Sequence, residues 1–235
     1  MSSFKVDIYA DGAEIDEIRN LRSNPLIKGF TTNPTLMKQA GVVDYLDFSR
    51  KVIEIIGDLP ISLEVFSDDF SEMKTQAIKL SSLGQNVYVK IPVTDTRGAS
   101  SSNLVKQLAG EGVQLNVTAM FTLRQVETTL AALESGPNSY ISIFAGRIAD
   151  TGVDPIPVMK SALKAMKDQP QIQLIWASPR EVLNIVQAND IGCHVITVTP
   201  DLLRKLPGLG KDLDQFSLET VSMFANDAKN AGYSI

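Results

Sequence analysis

Short β-branched, apolar runs recur from one end of the chain to the other: VDIYAD from Val6, IKGFTTN from Ile27, ISLEVF from Ile61, VYVKIPV from Val87, VQLNVTAM from Val113, YISIFAG from Tyr140, IQLIWAS from Ile172 and HVITVTP from His194. Each is bounded by turn or helix-start residues, which predicts strands. Between them lie stretches with helical spacing, such as AEIDEIRNLR, DDFSEMKTQAIKLSSLG and TLRQVETTLAALESG, and Gly84 and Gly136 stand where C-caps are expected. Near-continuous apolar strands alternating with amphipathic helices indicate a parallel sheet covered by helices. Eight such repeats in 235 residues predict an α/β chain folded as a single (β/α)8 TIM barrel, with an open doubly wound sheet as the alternative. SSLGQN and TRGASSSN read as loops, and no linker or composition shift divides the chain, so residues 1–235 are expected to form one domain. The segment LDQFSLETVSMFANDAKNAGYSI has helical apolar spacing after the expected last barrel helix. Residues 215–235 are therefore expected to be an extra C-terminal helix that caps the barrel mouth or docks on a neighbouring subunit.

Composition removes several function classes. The hydrophobic fraction of 44% and charged fraction of 21% fit a folded, soluble protein. A net charge of −5, with lysines and arginines scattered rather than clustered, argues against nucleic acid as a partner. One cysteine, Cys193, excludes an internal disulfide, and one histidine, His194, leaves the usual zinc ligand sets unavailable. The start MSSFKVDIYADG lacks an export signal and no run of about 18 apolar residues occurs, so a cytoplasmic protein without a membrane span is expected.

In a (β/α)8 barrel the chemistry sits at the C-terminal strand ends. Those ends carry Asp11, Thr32 with Asn33, Glu64, Lys90, Asn116 with Thr118, Ser142 with Arg147, and Ser178 with Arg180. Lys90 stands in the apolar run NVYVKIPVT, where burial favours the neutral amine that can attack a carbonyl and form a Schiff base. Asp11 and Glu64 are the carboxylates available for the accompanying proton transfers, although DGAEIDE would equally make Asp11 a helix N-cap. Arg147 and Arg180, with Ser142 and Ser178, suit a phosphate, or else form surface ion pairs.

These residues resemble the transaldolase family over almost the whole chain, in the segments YADGA, GFTTNPTLM, SLEVF, VYVKIP, LNVTAMFT, SIFAGRIAD and WASPR, with the spacing of its short, compact branch. The resemblance implies that Lys90 forms the Schiff base with a ketose phosphate and Asp11 handles protons on the donor hydroxyl. Asn33 and Asn116 would position donor hydroxyls, Glu64 and Thr118 would hold a proton-relaying water, and Arg147, Ser142, Ser178 and Arg180 would hold the phosphate. It also implies no metal and no organic cofactor, sugar phosphate partners, and a homo-oligomer in which the C-terminal helix reaches a neighbour. The family includes fructose 6-phosphate aldolases, which usually carry glutamine where this chain has Glu64 and tyrosine where it has Phe144; both positions here are similar to those of transaldolases. Gly12, Ile143 and Pro179 depart from the family pattern at threonine, proline and ASFR-type positions, which bears on substrate preference.

The implied reaction moves a dihydroxyacetone unit from fructose 6-phosphate or sedoheptulose 7-phosphate to erythrose 4-phosphate or glyceraldehyde 3-phosphate, a step of the pentose phosphate pathway. Its rivals are an aldolase releasing free dihydroxyacetone, a transaldolase-like enzyme with another ketose, a sugar-phosphate sensor without turnover, and a metal-dependent aldolase. The sensor would not require a buried amine, and for a metal site the sequence offers carboxylates but only one histidine and one cysteine, adjacent at His194 and Cys193 at the start of strand eight.

Overall fold

A computed structural model of the chain describes residues 4–233. Its strands are β1 (Asp7–Asp11), β2 (Ile27–Thr31), β3 (Ile61–Glu64), β4 (Val87–Pro92), β5 (Leu115–Met120), β6 (Ser139–Ile143), β7 (Ile172–Trp176) and β8 (Val195–Val198). Each pairs in parallel with the next and β8 pairs with β1, so the sheet closes into the predicted barrel, in chain order throughout. The helices are α1 (Ile15–Arg22), α2 (Pro34–Gln39), α3 (Tyr45–Ile56), α4 (Phe70–Ser81), α5 (Ser102–Gly110), α6 (Leu123–Leu133), α7 (Ala145–Ala149), α8 (Ile156–Ala165), α9 (Leu183–Asp190), α10 (Pro200–Leu203) and α11 (Leu213–Asn230).

Local chemistry fixes the helix starts. Asp44 caps α3 by accepting from the Asp47 amide, and Asp69 caps α4 by accepting from the amides of Ser71 and Glu72. Thr122 and Gln125 form a reciprocal capping box on α6. The expected glycine C-caps are not used: α4 ends on Ser82 and α6 on Glu134, both right-handed. Gly136 instead allows close packing, since a Cβ there would lie 2.8 Å from that of Ala109.

Side chains alternate across each strand, so the apolar runs divide into two sets. Val87, Val89 and Ile91 of β4 are buried on one face, as are Leu115 and Val117 of β5 and Ile141 and Ile143 of β6. The residues between them turn into the barrel. Tyr9, Tyr88 and Tyr140 make a floor there: the hydroxyls of Tyr9 and Tyr140 lie 2.6 Å apart, and the Tyr88 and Tyr140 rings are 4.3 Å apart. Ile175, Ala177 and Val195 pack into the same cluster. Gly29 is required beside it, because a Cβ would lie 2.6 Å from the Tyr9 ring. Above the floor the inward positions become polar.

The chain forms two compact units, Met1–Leu203 and Arg204–Ile235. The first contains the barrel. In the second, Asp212 caps α11 by accepting from the Gln215 amide, and Phe216, Leu218, Val221 and Phe224 are exposed. Among the described residues no helix is long and apolar enough to cross a membrane.

Candidate active site

A cavity of about 510 Å³ is lined by the C-terminal strand ends and the loops after them. Eleven of the twelve side chains singled out in the sequence line it: Asp11, Asn33, Glu64, Lys90, Asn116, Thr118, Ser142, Phe144, Arg147, Ser178 and Arg180. The register accounts for the convergence. Glu64 on β3 is level with Lys90 on β4, and Lys90 is level with Asn116 on β5, so one row of inward positions carries carboxylate, amine and amide.

Lys90 is buried, with Nζ 3.0 Å from a Glu64 carboxylate oxygen and 2.8 Å from the Thr32 carbonyl oxygen, to which it donates. The amine is therefore held by an anion and a carbonyl at a defined point on the cavity wall, rather than standing alone among apolar neighbours. Thr32 is the exception to the sequence reading: its hydroxyl donates to the Ser62 carbonyl and does not line the cavity. Side-chain alternation explains this, because Thr31 takes the inward position of β2 and Thr32 the outward one.

Asp11 does not cap a helix. The N-cap of α1 is Glu14, and Asp11 instead accepts a hydrogen bond of 2.7 Å from the Thr31 hydroxyl inside the cavity. Burial pushes its carboxyl above the usual range, opposed by the Lys90 charge and the Thr31 bond and reinforced by Glu64. Asn33 caps α2 through Oδ1, accepting from the Leu36 amide, which fixes the side chain and leaves its NH2 to the cavity.

A second chain crosses the barrel. Ser142 donates to Asn116 Oδ1 at 2.7 Å, and Asn116 Nδ2 donates to Ser62 Oγ at 2.9 Å. Ser142, expected on a phosphate, thus spends its proton on orienting Asn116. Among the described residues the buried hydroxyl of Thr118 has no partner, so its bonding capacity is left for a group in the cavity. Directly after it, β5 carries an irregularity between Val117 and Met120, with Ala119 at a φ of 60°. A bulge at this place re-aims the strand end.

The two arginines differ. Arg147 lies with its guanidinium carbon 5.6 Å from the Phe144 ring centre. Arg180 is paired through Nε and Nη2 with both carboxylate oxygens of Asp150, which holds the Asp150 carboxyl below its usual range. The loop bearing Arg180 is shaped by backbone contact: Ser178 has a φ of 60°, and a Cβ on Gly146 would lie 1.6 Å from the Ser178 carbonyl oxygen. Gly146→Ala therefore forces the loop apart. The expected result is a loss of about 2–3 kcal/mol, seen as a fall in Tm of roughly 5–10 °C in a thermal melt.

Thr31, Ser62, Thr197, Thr199 and Asp150 were not singled out in the sequence. Thr197 and Thr199 carried a readable signal, since they alternate with apolar residues in VITVTP in phase with the polar positions of the other strands. Cys193 and His194 precede β8, away from the cavity lining. The Cys193 thiol is pushed up to about 12 by burial, and His194 Nδ1 accepts from the Leu174 amide at 3.0 Å. Among the described residues no group of three or more His, Cys, Asp or Glu side chains is placed to hold a metal ion.

Comparison with known proteins places this site in context. Residues 8–235 match the family described as Transaldolase/Fructose-6-phosphate aldolase. A "Probable transaldolase" of Thermoanaerobacter sp. (strain X514) is 33% identical over 84% of this chain and 88% of its own length. Proteins of the same name from Nitrosopumilus maritimus (strain SCM1) and Chelativorans sp. (strain BNC1) are each 34% identical, over 85% and 88% of this chain and 86% and 93% of theirs. A crystal structure from Burkholderia cenocepacia J2315, described as that of a lyase/mutase, superposes with a TM-score of 0.60 at 12% identity, covering 99% of this chain and 86% of the other, a likeness of fold alone.

Proposed function

Since the chain belongs to the transaldolase/fructose-6-phosphate aldolase family, and is an enzyme of that family, we propose that Lys90 forms a Schiff base with a ketose phosphate and transfers a dihydroxyacetone unit to an aldose phosphate. The observation that carries this reading is the placement of Lys90 Nζ on the cavity wall between the Glu64 carboxylate and the Thr32 carbonyl, with a second carboxylate, Asp11, lining the same cavity.

The steps follow from that geometry. The Lys90 ammonium first gives a proton to Glu64; the neutral amine then attacks the ketose C2, a proton passes from its nitrogen to the new oxyanion, and Glu64 returns its proton to the carbinolamine hydroxyl, which leaves as water to give an iminium ion. Glu64 and Thr118 serve these proton movements, because Glu64 reaches the amine and the Thr118 hydroxyl is uncommitted. The iminium withdraws electrons from C3, so the C3–C4 bond breaks as Asp11 takes the proton of the C4 hydroxyl, leaving an enamine on Lys90 and a free aldehyde. The enamine carbon then attacks an acceptor aldehyde, whose new hydroxyl takes its proton from Asp11, and water releases the product ketose. Asn33 and Asn116 hold donor hydroxyls. Arg147, Arg180 and Ser178 hold the phosphate, the free edge of the Arg180 guanidinium facing it while Asp150 fixes the other edge.

The donors are fructose 6-phosphate and sedoheptulose 7-phosphate and the acceptors erythrose 4-phosphate and glyceraldehyde 3-phosphate, as in the pentose phosphate pathway. The lone buried thiol of Cys193 suits a reducing cytoplasm, and the exposed apolar residues of α11 suit assembly into a homo-oligomer. Incubation with fructose 6-phosphate followed by borohydride is expected to leave a reduced three-carbon adduct on the Lys90 peptide. No adduct with any ketose phosphate, in folded protein, would refute the Schiff base. Release of free dihydroxyacetone at equal rates with and without an acceptor aldehyde would instead identify the aldolase.

A further inference from the structure

The cleavage step needs Asp11 ionised at rest, yet burial opposes the charge. What surrounds it is a chain of hydroxyls. Thr31 Oγ1 lies 2.7 Å from Asp11 Oδ1, and Thr197 Oγ1 lies 2.5 Å from Thr31 Oγ1. A threonine hydroxyl has one proton to give, and a carboxylate can only accept. Thr31 must therefore donate to Asp11, so the short contact beyond it is Thr197 donating to Thr31. The two threonines come from β2 and β8, the strands that flank β1, and are only 3% and 6% exposed, so water does not compete freely for these bonds.

We propose that Thr197, acting through Thr31, is a positioning residue that holds Asp11 in its ionised, proton-accepting form. A hydrogen bond ending on a charge is roughly twice as strong as a neutral one, and a donor is strengthened when it accepts in turn. The chain thus favours the carboxylate over the carboxylic acid, which would have to break or reverse it. The other groups that act on Asp11 are Lys90 from β4, which favours the anion, and Glu64 from β3, which opposes it. Neither is bonded to Thr197. The inference rests on the reading of Asp11 as the proton acceptor, but its test need not.

Asp11 can be followed by carbon NMR in protein labelled at aspartate Cγ, with its resonance assigned by its absence from Asp11→Asn. Thr31→Val is expected to raise the Asp11 titration midpoint by about one unit, a tenfold gain in proton affinity. Thr197→Val, which removes no contact with Asp11, is expected to move it the same way by a smaller amount, and Thr197→Ser to restore it. In steady-state assays the acid limb of kcat should shift to higher pH by the same increments, with KM unchanged. A folded Thr197→Val whose Asp11 titrates as in the unmodified protein would overturn the proposal and leave Thr197 as a staple between β8 and β2. Because the titration needs no turnover, a protein without a borohydride adduct but with a Thr197-dependent Asp11 would fail the Schiff-base reading alone.

Discussion

Lys90→Met is expected to lower kcat/KM by about 10⁴-fold or more and to abolish borohydride trapping, because among the described residues no other lysine lines the cavity beside Glu64 and the Thr32 carbonyl. Loss of activity by itself would not distinguish lost chemistry from lost structure. The ion pair supplies the control. Lys90 and Glu64 are 8% and 18% exposed, so removing one partner strands the other as an unpaired, largely buried charge. Stranding of this kind costs about 3–5 kcal/mol when burial is complete and less here, where the carboxylate borders an open cavity. Lys90→Met should therefore be both inactive and less stable. Adding Glu64→Gln removes the stranded charge, so the double variant should regain Tm while remaining inactive. A thermal melt and a single-turnover assay on the same samples read the two effects. A double variant that recovers turnover, or a single variant that still yields a reduced adduct at another lysine, would show that the nucleophile lies elsewhere.

The barrel was legible because its signal is redundant: eight apolar runs in series, each with helix-forming residues between, admit few folds. The site was legible for a related reason. Polar residues at inward positions of apolar strands conflict with the local pattern, and Glu64 in SLEVF and Lys90 in VYVKIP stand out against their neighbours. What the pattern did not resolve is the choice between adjacent residues of the same type. In TTN, only the strand's phase decides that Thr31 turns inward to Asp11 and Thr32 turns outward to Ser62. Nor does a sequence show how a side chain spends its protons. The bond from Ser142 to Asn116 and the pairing of Arg180 with Asp150 join residues far apart in the chain and are seen only in the fold. The tyrosine floor was hidden by its own composition, since Tyr9, Tyr88 and Tyr140 count as strand-forming residues whether they face the helices or one another.

Asp11→Asn is expected to separate activity from stability in the opposite direction. As the group that takes and returns the C4 hydroxyl proton, Asp11 should contribute about 10²–10⁴-fold to turnover, and the amide cannot replace it. Yet burial raises its carboxyl above the unfolded value, the largest influence on it. A carboxyl raised in the folded state contributes stability that is fully present below the unfolded value of 3.8 and is lost as pH rises through the folded value. In its ionised form the carboxylate is thus a net strain on the fold, held in place by Lys90 and by Thr31. Asparagine keeps the shape and the capacity to accept from Thr31 without the charge. The variant should therefore melt a few degrees above the unmodified protein at pH 7, and the difference should vanish as pH approaches 4. Melts across that range, paired with kcat, check both halves. A variant that is less stable at pH 7 would mean that the attraction of Asp11 to Lys90 outweighs its burial, and the carboxylate would then belong to the framework that holds the amine as much as to the chemistry the amine performs.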